Sequence, residues 1–261
     1  MDLGLKDKVA IVTGGSMGLG YAVASELAKE GSHVTICSRR PEPLEKAKKS
    51  IQENSGSRVH AVRADMSVPE DIATVVGETV ERFGTVHILV NNAGSSITKD
   101  FLDVAREDWG EIFQTILLGA SEACRLAIPY MQKQKWGRII NVGSVSSKQP
   151  RQRRVLANAA KAALMSFTKT LAREFVKDGI LVNAAVPGRF ATHWPERIRK
   201  MAREQERTVE DVHAEVVKDI TMGRLGEPEE FSAMVAFLAS ERASFISGAA
   251  FPIDGGELSA I

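Results

Sequence analysis

The sequence predicts an α/β fold in which one doubly wound parallel sheet is covered by helices on both faces. Short runs rich in β-branched residues alternate along the chain with longer amphipathic stretches. The short runs are apolar throughout, which is typical of strands buried on both faces. The stretches between them are roughly 10 residues or longer, enough for the helical crossovers that parallel strands need.

The predicted elements follow one another in regular order. The predicted strands cover residues 9–12, 33–37, 59–62, 88–90, 138–142, 181–186 and 250–253. The predicted helices cover residues 20–30, 43–54, 69–83, 108–132, 156–176 and 228–239. Right-handed crossovers then place ligands at the carboxyl ends of the strands. Since no linker or repeat interrupts the pattern, residues 1–261 are predicted to form a single domain.

One segment departs from this alternation. Residues 195–219 are dense in charges of both signs and predict one or two exposed helices inserted after the sixth strand. At the mouth of the sheet, such an insert would suit a substrate lid. A solvated helical excursion is an equally good interpretation.

Composition restricts the possible functions. The 261 residues are 26% charged and 44% hydrophobic with a formal net charge of +1, which indicates a soluble protein without a global field for nucleic acid or membrane surfaces. No apolar run approaches the roughly 18 residues of a membrane span. Cys37 and Cys124 provide no disulfide framework, and no metal site is expected. We therefore expect a cytoplasmic protein that binds neither nucleic acid nor membrane.

A glycine-rich turn connects the first predicted strand to the first predicted helix. Residues 13–20 read Thr-Gly-Gly-Ser-Met-Gly-Leu-Gly. Such a turn lets the backbone approach a pyrophosphate, and the helix N-terminus adds free N–H groups and a positive dipole end. A tight structural turn would explain the glycines alone. However, residues 91–94, Asn-Asn-Ala-Gly, add a second small-residue motif after the fourth strand, which favours a nucleotide site.

The residues after the second strand indicate which dinucleotide is bound. A carboxylate there would accept hydrogen bonds from the ribose 2′-OH, whereas arginine suits a 2′-phosphate. The chain has Ser38, Arg39 and Arg40 at this place and no acid. We therefore predict NADP(H) in preference to NAD(H). The alternative is that both arginines are surface charges at the start of a helix.

These motifs resemble those of the short-chain dehydrogenase/reductase family. The glycine pattern matches that family's TGxxxGxG, and the match continues through Asp65, Asn-Val-Gly-Ser at 141–144, Pro187-Gly188 with Thr192, and Asp-Gly-Gly at 254–256. The resemblance implies a Rossmann fold, with Asp65 and Met66 beside the adenine, 92–94 near the ribose and 187–192 at the nicotinamide end. The cofactor-binding residues expected in total are Gly14, Ser16, Met17, Gly18, Leu19, Gly20, Ser38, Arg39, Arg40, Asp65, Met66, Asn92, Ala93, Gly94, Lys161, Pro187, Gly188 and Thr192.

The resemblance also exposes a gap in the catalytic residues. Family members typically use a tyrosine whose pKa is lowered by a lysine one helical turn later, with a serine and an asparagine in support. Ser144 matches the serine and Lys161 the lysine. The tyrosine position, four residues before Lys161 and 13 after Ser144, holds Ala157, and the asparagine position holds Ile116. Losing a positioned acid typically costs about 10²–10⁴ in rate.

Several other residues are candidates for the missing proton donor. Ser146 or Ser147 would relay a proton through water, and Lys161 would donate one if burial lowered its pKa. His193 has a suitable unperturbed pKa of about 6.5, although a surface role is the favoured interpretation. Asn158 lies roughly 100° around the helix from Ala157, and its amide is not a useful acid.

A basic run precedes the gap, formed by Arg151, Arg153 and Arg154. It would hold an anionic substrate such as an acyl thioester, although a solvated loop is the favoured interpretation. Segments 223–230 and 251–256 are similar to those of 3-oxoacyl-carrier-protein reductases. The chain therefore resembles a divergent branch of those reductases that lacks the full tetrad.

Two function hypotheses follow. The leading one is an NADP(H)-dependent oxidoreductase with a non-standard proton donor, acting on a small carbonyl compound or an enone. The alternative is a catalytically silent NADP(H)-binding protein that acts as a sensor or assembly partner. Relatives use the helix over 156–176 in dimers and tetramers, so a homo-oligomer, either a dimer or a homotetramer, is expected.

Overall fold

The computed structural model describes residues 2–95 and 97–259, and over those residues it contains one sheet of seven strands. The strands are β1 (Val9–Thr13), β2 (His33–Ser38), β3 (Val59–Arg63), β4 (Ile88–Asn91), β5 (Gly137–Val142), β6 (Ile180–Pro187) and β7 (Ala250–Ile253). They lie in the order β3-β2-β1-β4-β5-β6-β7, and each neighbouring pair is parallel. The predicted doubly wound sheet is therefore confirmed.

The strand order runs one way across the sheet from β1 to β3 and the opposite way from β4 to β7. β1 and β4 are therefore neighbours at the point where the order reverses. β1 pairs with β2 on one side and with β4 on the other, with Val12 opposite both Ile36 and Val90. Loops that leave these two strands diverge to opposite faces, which opens a crevice at their carboxyl ends. The topology thus places the ligand site between the loops after β1 and β4.

Helices cover both faces of the sheet. They are α1 (Gly18–Lys29), α2 (Pro41–Ser55), α3 (Pro69–Phe83), α4 (Arg106–Phe113), α5 (Gly119–Gln134), α6 (Val155–Phe175), α7 (Trp194–Glu204), α8 (Val209–Val217) and α9 (Pro228–Ala239). α1, α2 and α9 share one buried cluster, whereas α3, α5 and α6 contribute to another. Along β1, Ala10 and Val12 join the first cluster and Ile11 joins the second, because successive side chains point to opposite faces. This double burial explains why the strands are apolar throughout.

The helical region predicted over 108–132 is divided into three parts. A π-helical turn, Gln114–Leu118, separates α4 from α5. Such turns disturb the ordinary helical periodicity and occur frequently at functional sites. Ile116 lies in this turn and is buried against Leu156 and Ala160 of α6.

The charged segment over 195–219 contains the two helices α7 and α8. They enclose a small apolar cluster that includes Ile198, Val212 and Val216. The hydroxyl oxygen of Thr208 accepts a hydrogen bond from the Asp211 N–H and caps the start of α8. The segment is therefore packed on its own apolar stripe.

Over the described ranges, no helix has the length and apolar character needed to cross a bilayer.

Candidate active site

A cradle for a dinucleotide lies where β1 and β4 end. Gly14 has φ +67°, a left-handed conformation that favours glycine. A methyl group on Gly20 would lie 2.3 Å from the Gly14 carbonyl oxygen, so only glycine fits at that place. The first turn of α1 therefore packs directly against the glycine-rich loop, and N–H groups at the start of a helix suit an anion such as a pyrophosphate.

Asn92 holds this cradle together. Its side-chain nitrogen donates to the carbonyl oxygens of Thr13, at 2.8 Å, and Gly14, at 3.3 Å. The Thr13 hydroxyl oxygen in turn accepts from the backbone N–H groups of Asn92 and Ala93. The Asn92 amide expected near a ribose is thus engaged with the glycine-rich loop, and it fixes the ends of β1 and β4 relative to each other.

A cavity of about 360 Å³ extends from the cradle toward the end of β2. We call it the cradle cavity. Eleven of the expected cofactor residues line it: Gly14, Ser16, Met17, Ser38, Arg39, Arg40, Asp65, Met66, Asn92, Ala93 and Gly94. Cys37, Ala64, Ser95 and Thr115 also line it and were not anticipated from the sequence.

Two arginines stand at one end of the cradle cavity. Arg39 lies 3.9 Å from a carboxylate oxygen of Asp65, and its side chain is 73% exposed. A guanidinium nitrogen of Arg40 lies 3.3 Å from the sulfur of Met17. Burial opposes ionisation of Asp65, but hydrogen bonds from Ser67 and the Arg39 charge lower its pKa overall. This end of the cavity therefore presents two guanidinium groups, which suit an anionic group such as a phosphate.

The remaining expected cofactor residues lie outside the cradle cavity. Gly18, Leu19 and Gly20 form the first turn of α1, and a methyl group on Gly18 would lie 3.6 Å from the Thr192 side chain. Pro187 ends β6, and Gly188 packs against Asp254 near the C-terminal turn. Lys161 lines a second cavity.

The second cavity, of about 370 Å³, adjoins the first because Gly94 and Ser95 line both. We call it the catalytic cavity. It brings together Gly94, Ser95, Ser144, Ser146, Arg154, Ala157, Lys161, His193 and Arg197. The two matched tetrad residues and the alanine in place of the tyrosine therefore face one space.

Lys161 is fixed at the inner wall of the catalytic cavity. Its Nζ donates to the carbonyl oxygen of Val142 at 2.5 Å. Burial lowers the pKa of Lys161 to about 8. A methyl group on Gly94 would lie 3.8 Å from this Nζ and 3.8 Å from Cγ1 of Ile116, so Lys161 and the π-helical turn both approach this glycine.

The serines of the 144–147 segment are linked to one another. The Ser146 hydroxyl lies 3.0 Å from the Ser144 hydroxyl oxygen, and the Ser146 N–H also donates to that oxygen. The Ser147 hydroxyl donates to the Ser144 carbonyl oxygen and is not among the cavity-lining groups. Of the two relay serines considered from sequence, Ser146 is therefore the one at the cavity.

Ala157 lies one helical turn before Lys161 on α6, so both face the same side. It is buried and lines the cavity. The neighbouring Asn158 donates its side-chain amide to the Arg151 carbonyl oxygen at 2.8 Å. Asn158 is thereby engaged with the preceding loop rather than with the cavity.

The basic run divides among three environments. Arg151 pairs with Glu257, and the Arg153 Nε lies 2.9 Å from the Asp100 carboxylate. Arg154 lines the catalytic cavity, opposite Arg197 and His193. Sequence reasoning missed Arg197, although its spacing of four residues from His193 indicates a shared helical face.

Trp194 organises the opposite wall. The His193 ring stacks on it with centroids 5.6 Å apart, and the Arg197 guanidinium lies 4.9 Å from its ring centroid. Burial and the nearby charges of Arg197 and Arg154 lower the pKa of His193. Within the described part of the chain, no three His, Cys, Asp or Glu side chains group as metal ligands would.

Known proteins are similar to this chain over most of its length. A model of the short chain dehydrogenase family matches residues 8–203. The chain is 34% identical over 256 residues to the 3-oxoacyl-acyl-carrier-protein reductase FabG of Aquifex aeolicus, covering 98% of this chain and 99% of that protein. It is 34% identical over 253 residues to Nodulation protein G of Azospirillum brasilense, covering 97% and 98% respectively.

Solved structures share the whole architecture. The L-sorbose reductase of Gluconobacter frateurii, complexed with NADPH and L-sorbose, has a TM-score of 0.97 and 35% identity, with 100% of both chains covered. YwfH, an NADPH-dependent reductase involved in bacilysin biosynthesis, has a TM-score of 0.91 and 28% identity, with 98% of this chain and 100% of that one covered.

Proposed function

Because this chain belongs to the short-chain dehydrogenase family, we propose that it is an NADP(H)-dependent oxidoreductase that reduces a small carbonyl compound or an enone without the usual tyrosine. The observation that supports this proposal is the shared cavity of Ser144 and Lys161, which adjoins the glycine-rich cradle. A nucleotide in the cradle and a substrate against Ser144 would then be neighbours.

The cradle fits NADP(H). The glycine-rich turn and the start of α1 would hold the pyrophosphate, and Arg39 and Arg40 would bind the 2′-phosphate by charge-assisted hydrogen bonds. The strand β2 ends on Ser38 without an acid that would repel this phosphate. Two structural relatives that use NADPH support this choice. When bound, the cofactor supplies the hydride.

The chain itself must orient the substrate and deliver a proton. The Ser144 hydroxyl would donate to the substrate oxygen, which polarises the carbonyl. Lys161 would supply the proton, since a group with a pKa of about 8 is mostly protonated at pH 7 and is still acidic enough to donate. His193 is less suitable, because its lowered pKa leaves the ring mostly neutral at that pH.

An enone would tolerate the loss of the tyrosine best. The atom that receives the proton in a conjugate reduction is carbon, which can be protonated by water. A carrier-protein thioester is a further candidate, in view of the reductases named among the relatives.

The test is NADPH oxidation over a panel of ketones, enones and thioesters with the purified full chain. Turnover of at least one class supports the reductase.

The silent alternative is favoured by one observation. The buried, apolar Ala157 and Ile116 occupy the two positions where family members typically have polar side chains that assist proton transfer. A sensor or assembly partner would bind NADPH tightly and turn over no member of the panel. Persistent binding without oxidation would therefore select this function over the reductase.

We expect a homo-oligomer, dimer or tetramer, built in part on α6, and a cytoplasmic location. Light scattering coupled to size exclusion would measure the mass directly, and a monomer at micromolar concentration would contradict the first expectation.

A further inference from the structure

The catalytic cavity is lined by an excess of cationic groups. Arg154, Lys161 and Arg197 face it together with His193. Among the described residues that line it there is no carboxylate. Arginine stays charged at all physiological pH values, so this space carries positive charge whatever the state of Lys161 and His193.

The positive charge comes from two separate walls. Arg154 directly precedes α6, three residues before Ala157, whereas Arg197 lies on α7 in the inserted segment. Burial and the charges of Arg151 and Arg197 lower the pKa of Arg154, which shows that the cations are close enough to repel each other. A bound anion between the walls would relieve this repulsion.

The neighbouring arginines do not share this orientation. Arg151 and Arg189 both pair with the buried carboxylate of Glu257, and Arg153 pairs with Asp100. None of these three arginines lines the catalytic cavity, whose described lining includes Arg154 and Arg197.

Resting on the proposed reductase function, we propose that the substrate carries an anionic group, a carboxylate or a phosphate, which Arg154 and Arg197 bind beside Ala157. Each guanidinium presents two N–H groups in a planar fork that matches either anion. Alanine at position 157 leaves the space that a tyrosine ring would occupy. The carbonyl of the same molecule then lies toward Ser144 and Lys161.

The inserted segment would contribute to this site through Arg197. Arg197 is held over Trp194, which begins α7, so an anion that bridges Arg197 and Arg154 would connect α7 to α6. Of the two interpretations of residues 195–219, a lid or a solvated excursion, this arrangement favours a lid on the anionic end of the substrate.

The test compares matched pairs of compounds that differ only in charge. One pair is 4-oxopentanoate and its methyl ester, and the other is dihydroxyacetone phosphate and dihydroxyacetone. We expect the charged member of at least one pair to have kcat/KM with NADPH about tenfold or more above its neutral partner, the range expected for hydrogen bonds to a charged group. The pair that shows the preference identifies carboxylate or phosphate.

Two variants connect the preference to the proposed residues. Arg197→Met should lower kcat/KM for the charged compound about tenfold or more relative to the neutral partner. Arg199→Met is the matched control, because Arg199 is exposed on the same helix and does not line the cavity. Arg154→Met repeats the test from the other wall. Charged and neutral partners with equal kcat/KM in both pairs would overturn the proposal.

Equilibrium binding separates this inference from the reductase function. Calorimetric titration of 4-oxopentanoate and dihydroxyacetone phosphate into the NADP⁺-loaded protein needs no turnover. Binding that depends on Arg197 in a protein that oxidises no NADPH would keep the anion site and reject the reductase. Turnover of neutral carbonyls without any preference for the charged compounds would reject the anion site and keep the reductase.

Discussion

The Lys161 ammonium group donates to the carbonyl oxygen of Val142 over 2.5 Å, which connects α6 to the end of β5. Ser144 follows the end of β5 by two residues, so this bond holds Lys161 close to the segment that carries Ser144. No tyrosine is needed for this arrangement. The contributions of Lys161 and Ser144 can therefore be tested one residue at a time.

The first prediction concerns the pH dependence of reduction. Burial lowers the pKa of Lys161 to about 8, so its proton is available below that pH and lost above it. If Lys161 is the acid, kcat at saturating NADPH should be level from pH 6 to 7 and fall as the pH rises through about 8. Steady-state rates from pH 6 to 10 measure this limb.

A variant tests whether Lys161 causes the fall in kcat near pH 8. Lys161→Arg keeps the positive charge but titrates far above pH 10, so the residual rate should lose its decline near pH 8. A decline of the same midpoint in this variant would assign it to another group.

The second prediction restores the tyrosine. Ala157→Tyr places a phenol one helical turn before Lys161, on the wall that Ser144 shares. We expect ketone reduction with NADPH to rise by about 10²-fold, the lower end of the range for a positioned acid. Asn158→Tyr is the matched control, because that position is turned toward the Arg151 carbonyl and should give no increase.

The outcome also tests the geometry. A folded Ala157→Tyr protein that binds NADPH but shows no increase would contradict the idea that Ser144 and Lys161 lie in catalytic positions. Adding Ile116→Asn to Ala157→Tyr should raise the rate further, since it places an asparagine where family members typically have one.

The sequence predicts the fold well because its strongest signal is local. Double burial makes each strand apolar, and the helices between them have clear amphipathic periods, so every strand is found within two residues of its predicted bounds. The break at 114–118 is missed. A π turn changes the hydrogen bonding of a single turn, and the surrounding pattern of apolar residues remains helical.

The candidate site is predictable where a motif is contiguous and not where it depends on packing. The glycine-rich loop and the Ser144–Lys161 spacing lie within short segments, and both meet at cavities in the structure. Arg197 reaches the catalytic cavity only because the fold brings α7 and the start of α6, which are distant in sequence, to one cavity. Arg151 and Arg154 are three residues apart, yet Arg151 pairs with Glu257, which lies more than 100 residues later in the chain, and Arg154 lines the catalytic cavity.

The third prediction concerns cofactor choice. Replacing Arg39 and Arg40 together by alanine removes both guanidinium groups at the 2′-phosphate end of the cradle cavity. NADPH affinity should fall about tenfold or more, as expected for charge-assisted bonds, whereas NADH affinity should hardly change. Fluorescence titration with both nucleotides measures the ratio.

Lys46→Ala serves as the control, because Lys46 is an exposed cation on α2 that does not line the cavity. It should change neither affinity by more than the small screening effect of one distant charge. An equal loss for NADPH and NADH in the double variant, or wild-type protein that binds NADH as tightly as NADPH, would reject the assignment of these arginines.

The fourth prediction uses two glycines inside helices. At Gly20 in α1, a methyl group would lie 2.3 Å from the Gly14 carbonyl oxygen, whereas at Gly77 in α3 it would meet nothing within 4 Å. Gly77→Ala should therefore raise the free energy of unfolding by about 0.5–1 kcal/mol through the higher helix propensity of alanine.

Gly20→Ala should lower the free energy of unfolding, because the glycine-rich loop must move to relieve the clash. The affinity for NADPH should fall as well. Thermal unfolding with and without NADPH measures both effects. A Gly20→Ala protein with unchanged Tm and unchanged stabilisation by NADPH would show that the close approach of α1 to the glycine-rich loop does not shape the cradle.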